Sequence, residues 1–124
     1  MSLQSHLAAL ISSVGNDYKR AHGVVSAAST ATLTPAATHY QYNLTAQAAG
    51  LTIAAPTGTP IDGQALMFRI KDNGTARAIS WNAAFRAVGV TLPTTTVISK
   101  VLYVGTKWND AEDMWDVLAV GQEA

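Results

Sequence analysis

The sequence predicts a mainly β fold, a short N-terminal helix followed by a single antiparallel β-sandwich or jelly-roll-like barrel. Three observations carry this expectation. An apolar stripe of helical period is confined to the stretch from Leu3 to Tyr18. From Val24 onward, short runs rich in Val, Thr, Ile and Tyr alternate with Gly, Pro and Asn punctuation. No strand–helix–strand rhythm interrupts those runs, which argues against a parallel α/β sheet. The chain of 124 residues therefore divides into residues 1–23, a helical attachment or oligomerisation segment, and residues 24–124, an antiparallel β-domain with one core.

The helix is expected over residues 2–20. Leu3, Leu7, Leu10 and Val14 recur at spacings of four, three and four, with Ile11 and Tyr18 beside the stripe. This is an a/d pattern lasting two heptads. Ser2 suits the N-cap, Lys19 and Arg20 suit the negative end of the helix dipole, and Gly23 is a natural stop. A helix of this length is marginal alone in water, so the stripe needs something to pack on. Its own domain, symmetry mates and another protein all remain open as that partner.

Strands are expected near Val24–Ser29, Thr32–Thr34, His39–Thr45, Thr52–Ala54, Gln64–Lys71, Arg77–Trp81, Val97–Thr106 and Met114–Val120. Turn signals separate them at Pro35, Pro56 to Pro60, Asp72-Asn73-Gly74, Pro93 and Asn109-Asp110. Asp72-Asn73-Gly74, after an alternating run, reads as a hairpin. Alternation places Leu66, Phe68 and Ile70 on one face, with Met67, Arg69 and Lys71 on the other. Both faces of Val101-Leu102-Tyr103-Val104 are apolar, which suggests a strand covered on two sides. Trp108 and Trp115 flank the acidic turn and are expected to pair across it.

Charge is scarce. Charged residues make up 13% of the chain, well under the usual share, and the formal net charge is zero. Ala, Thr, Ser, Gly and Val fill the gap, as in a β-protein with Thr- and Ser-covered faces, or one lying against neighbours. Without a basic patch, direct nucleic-acid binding and electrostatic membrane binding are disfavoured. The chain contains no cysteine, so disulfides and thiolate metal sites are excluded. The opening residues carry no positive n-region and too short an apolar run to span a bilayer, so neither export signal nor anchor is expected.

Candidate chemistry is sparse, and each candidate group has a plainer structural role. Asp110, Glu112, Asp113 and Asp116 concentrate carboxylates as a Ca²⁺ loop would, but the spacing matches no EF-hand and a solvated hairpin tip explains them. His6, His22 and His39 are dispersed, with no metal-ligand spacing. No G-x-S-x-G elbow occurs. Asp62 and Asp72 could approach as a glycosidase pair, although both read more economically as turn residues. No catalytic residue, cofactor or metal is assigned. The aromatics Tyr40, Tyr42, Trp81, Phe85, Tyr103, Trp108 and Trp115 suit core packing first. Tyr40, Tyr42 and Trp108 are the candidates for a sugar-stacking recognition surface.

Two stretches carry a resemblance. Pro56-Thr57-Gly58-Thr59-Pro60-Ile61-Asp62-Gly63-Gln64-Ala65-Leu66-Met67-Phe68-Arg69-Ile70-Lys71-Asp72-Asn73-Gly74 is one. Trp108 through Trp115, followed by Asp116-Val117-Leu118-Ala119-Val120, is the other. Together they resemble a small β-domain recurring in virion structural proteins of tailed bacteriophages, in capsid decoration (cement) proteins and at the ends of fibres. The opening helix, with Val14-Gly15-Asn16-Asp17, is similar to segments that attach fibre-type proteins to the particle or trimerise them. The resemblance covers chiefly Leu51 to Glu123 and brings no catalytic residues. The chain lacks a fibre shaft, a collagen-like repeat and a recognisable receptor-binding tip.

The resemblance implies a non-enzymatic virion protein, made in the host bacterial cytoplasm. The leading expectation is a homotrimeric decoration protein that binds the major capsid protein or other virion proteins and stabilises the head. Leu3, Leu7, Leu10, Ile11, Val14 and Tyr18 would make the oligomer or virion contacts. The alternative is a tail or head fibre module that recognises host surface glycans.

Overall fold

The computed structural model describes residues 23–124. The expected helix, with Leu3, Leu7, Leu10, Ile11, Val14 and Tyr18, lies outside the described residues, as do His6 and His22. The described chain forms β1 (Gly23–Ala27), β2 (Thr32–Leu33), β3 (His39–Gln47), β4 (Leu51–Ile53), β5 (Ala65–Asp72), β6 (Ile79–Trp81), β7 (Phe85–Ala87), β8 (Leu102–Asn109) and β9 (Met114–Gln122). Each expected strand is present, although β8 begins at Leu102 rather than Val97, and β7 is an addition.

The pairing departs from the antiparallel expectation. A six-stranded sheet runs β1-β3-β5-β8-β9-β7 and a three-stranded sheet runs β2-β4-β6. In the larger sheet, β1, β3 and β5 are parallel, and β7 is parallel to β9. The smaller sheet is parallel throughout. Among the described strand pairs, only β5–β8 and β8–β9 are antiparallel. The sheet is therefore mixed. Parallel neighbours need a crossover, usually a helix, and here the crossover is a strand of the other sheet.

From β1 to β6 the chain alternates between the two sheets and winds in three passes. Each pass lays its residues on the one before. Val25, Tyr42 and Phe68 are successive register partners in the larger sheet, and Thr32, Thr52 and Ser80 in the smaller. The return leg stacks as well, with Ala36 bridging Thr57 and the Ala37 N–H donating to the Thr57 carbonyl at 2.8 Å. Asp72-Asn73-Gly74 is thus a corner between sheets and not a hairpin. Its sequence makes a tight turn, with Gly74 at a φ of 102°, but a turn does not say where the next strand goes.

Apolar side chains of both sheets meet in one core. Leu66, Phe68 and Ile70 are at most 1% exposed, as their alternation predicts. Phe68 sits edge-on to Trp81 and Phe85, at centroid distances of 5.5 and 5.8 Å, and stacks on Tyr42 at 6.4 Å. Burying side chains of this size stabilises by roughly 1.5–3 kcal/mol each. The β8–β9 hairpin closes the last pass and packs Leu102, Val104, Trp115 and Val117 into the same core. Tyr103 is 41% exposed, so β8 is covered on one face only and the expected two-sided burial does not hold.

Candidate binding cleft

At one end of the molecule, the loop from Pro56 to Pro60 faces the β8–β9 turn across a cleft of ≈ 400 Å³. Its walls are the loop residues, Ala84, Trp108 and Trp115, with Asp110 and Asp113 at the lip. Trp108 and Trp115 are directly opposed in the hairpin register, with ring centroids 5.3 Å apart. Trp115 is buried, whereas Trp108 keeps part of its ring open to the cleft. The Trp108 indole N–H donates to Asp110 Oδ1 at 3.0 Å and so orients that carboxylate.

The loop is held on both sides. Thr57 N–H donates to the Pro35 carbonyl at 2.8 Å, which ties the loop to the preceding pass. Gly63 N–H donates to the Trp108 carbonyl and Trp108 N–H to the Gln64 carbonyl, at 2.8 and 2.9 Å. The Asp110 N–H donates to Asp62 Oδ1 at 3.0 Å. Gly58 sits at φ 86°, where a side chain is strained, and a Cβ there would stand 3.3 Å from the Ala37 Cβ.

The acidic turn is partly neutralised. Arg86 on β7 binds Asp116 Oδ1 at 2.8 Å and Glu112 Oε2 at 3.3 Å. The Asp116 carboxylate, with Glu112, keeps this guanidinium charged beyond its usual range. Among the described residues, no group of three or more His, Cys, Asp and Glu is placed to hold a metal ion.

A second depression of ≈ 530 Å³ lies at the opposite end of β8 and β9, lined by Arg69, Val101, Tyr103, Gly121, Gln122 and Glu123. It opens on the outward face of the larger sheet. Glu123 Oε1 accepts the Val101 N–H there at 2.9 Å.

No family model, curated protein or solved structure matches the chain. The site therefore stands on its own residues. Of the aromatic candidates, Trp108 lines the cleft. Tyr42 does not belong to any surface. It is 6% exposed, stacked on Phe68, and its hydroxyl accepts the Ala36 N–H at 2.6 Å. The alternation that put Tyr40 and Tyr42 on one face of β3 does not distinguish an inner face from an outer one. Tyr40 is half-buried on β3, in the six-stranded mixed sheet, and is not among the cleft-lining residues. His39 opens β3, as expected of a strand start.

Asp62 and Asp72 stay apart, because they flank opposite ends of β5. Asp62 braces the cleft loop, as above. Asp72 is buried and satisfied, its Oδ2 accepting from the Thr96 hydroxyl at 2.7 Å. Its Oδ1 accepts from the Ser99 and Gly74 N–H groups at 2.9 and 3.0 Å. The Pro56–Pro60 loop was readable only as a turn. Nothing in its sequence announced that a parallel bridge to Ala36 would set it opposite Trp108.

Proposed function

We propose that the chain is a non-enzymatic structural module of a tailed-phage particle, a decoration protein that binds and stabilises the assembled head. The observation that supports this best is the open outer edge of the first pass. Among the described residues, β1 and β2 each have a strand partner on one side only, and Val24 and Val25 of β1 are 48% and 36% exposed. Open parallel edges of this kind are places where another chain or segment attaches. The outward face of the larger sheet adds a contact surface, with Arg69 and Lys71 of β5 on the same face. Gly105, Ala119 and Gly121 form a shallow strip there beside Met67 and the exposed Tyr103. Shell proteins stabilise by binding the assembled state alone, through many modest contacts.

The resemblance of Leu51 to Glu123 to virion β-domains points the same way. Copy number per particle tests the placement. Quantitative mass spectrometry of purified particles should find this chain within a few-fold of the major capsid protein. A few dozen copies or fewer would reject the shell placement. That outcome would favour the second reading, a fibre or receptor-binding module, for which the Trp108 cleft is the specific observation.

A further inference from the structure

We propose that the cleft between the Pro56–Pro60 loop and the Trp108–Trp115 pair binds a neutral pyranose sugar. The inference rests on the second reading of function and names the site that reading requires. Its volume of ≈ 400 Å³ falls among sites for small ligands, which occupy roughly 300–1,000 Å³. The partly open Trp108 ring offers a flat apolar wall, against which the C–H face of a pyranose packs. Asp110 and Asp113 stand at the lip as acceptors for sugar hydroxyls. Asp110 is already aimed by the Trp108 N–H, whereas the Asp113 side chain makes no hydrogen bond among the described residues.

Charge selects the sugar class. Among the described residues, no Lys, Arg or His lines the cleft, and neighbouring Arg86 is occupied by Asp116 and Glu112. A phosphate or a sialic acid carboxylate would meet the Asp110 and Asp113 carboxylates, so an anionic sugar is disfavoured and a neutral one is not. The bracing of the loop by Pro35, Trp108 and Asp62 leaves little ordering to be done on binding.

The test is a ¹H–¹⁵N titration of the full chain with lactose, cellobiose and chitobiose in turn, with N-acetylneuraminic acid as the anionic probe. At least one neutral disaccharide should shift the Trp108 indole and Gly58 amide signals, with a Kd on the order of 1 mM. N-acetylneuraminic acid should leave them in place. Asp113 is exposed, makes no hydrogen bond among the described residues and sits at φ 55°, a conformation glycine accepts, so Asp113→Gly should keep the rest of the spectrum and weaken binding about tenfold. Trp108→Ala should abolish it, but that ring also packs on Trp115, so Asp113→Gly carries the test. No shift with any neutral probe at tens of millimolar, equal response to the anion, or undiminished binding by Asp113→Gly would each overturn the site. Binding by a chain present at shell copy number keeps the site and discards the fibre placement. Absence of binding at low copy number does the reverse.

Discussion

Gln47 at the end of β3 and Asp72 at the end of β5 are register partners, one pass of the chain apart. Both are buried polar side chains at the same corner of the winding, 0% and 3% exposed. Gln47 fastens the corner before it, accepting from the Thr30 N–H and the Ser29 hydroxyl and donating to the Thr30 and Ala49 carbonyls. Asp72 fastens the segment that returns toward β8, through Thr96 and Ser99. A further bond, from the Asn73 N–H to the Gln47 carbonyl at 3.1 Å, joins the two corners. Buried polar groups persist when satisfied, and here their partners are the loops that change sheet.

Removing the Asp72 carboxylate strands two backbone N–H groups and a hydroxyl. Asp72→Ala should cost about 3 kcal/mol, since each buried group left without a partner costs roughly 1–3 kcal/mol before the site relaxes. Asp72→Asn keeps the shape and one acceptor oxygen and should cost about half as much. Urea unfolding followed by tryptophan fluorescence measures both. Equal stability of wild type and Asp72→Ala would contradict the bonding described.

The same carboxyl predicts acid sensitivity. Burial alone would raise its pKa. The Ser99 N–H, the Thr96 hydroxyl, the Gly74 N–H and the charge of Arg77 outweigh burial and hold it below the ordinary 3.8. A carboxyl depressed in the folded state contributes stability that is full above its ordinary value and is lost as pH falls through the folded value. Wild type should therefore lose more stability than Asp72→Asn as pH drops below 3.8. Urea midpoints across that range should converge, and parallel curves would refute the linkage.

Gln47→Ala should destabilise by about 2–4 kcal/mol, combining a small cavity with unpaired groups on Thr30 and Ala49. Gln47→Glu keeps the volume but puts a negative oxygen where the amide donates to two carbonyls. It should be at least as damaging at neutral pH and partly recover in acid. Chemical denaturation at two pH values distinguishes the pair.

Gly58→Ala should loosen the cleft loop at a cost of about 1–2 kcal/mol, because φ 86° is strained for any side chain and the new methyl crowds Ala37. Hydrogen exchange should quicken at Thr57 and Ala37, which share a backbone bond, and leave β8 and β9 unchanged.

Legibility followed the physics of each level. Strand positions were readable because alternation and turn residues report local conformation, and Leu66, Phe68 and Ile70 fell on the core face as predicted. Pairing was not readable. A strand alternates in the same way whether its neighbour is parallel or antiparallel, and Asp72-Asn73-Gly74 serves a corner as well as a hairpin. Nor did a repeat show. Successive passes are of unequal length, 17 residues from Val25 to Tyr42 and 26 from Tyr42 to Phe68. β7 escaped notice because Phe85-Arg86-Ala87 is too short to alternate and is held by β9 and Asp116. Of the cleft, Trp108 facing Trp115 was expected from their placement around the turn. The opposing loop arrives through tertiary contacts alone.

The proposed role is to bind an assembled particle and stabilise it. Purified protein added to particles produced without it, followed by measurement of the temperature at which they release their genome, tests that role most directly. Saturable binding and a higher release temperature are expected. Particles that neither bind the protein nor change their release temperature would contradict it.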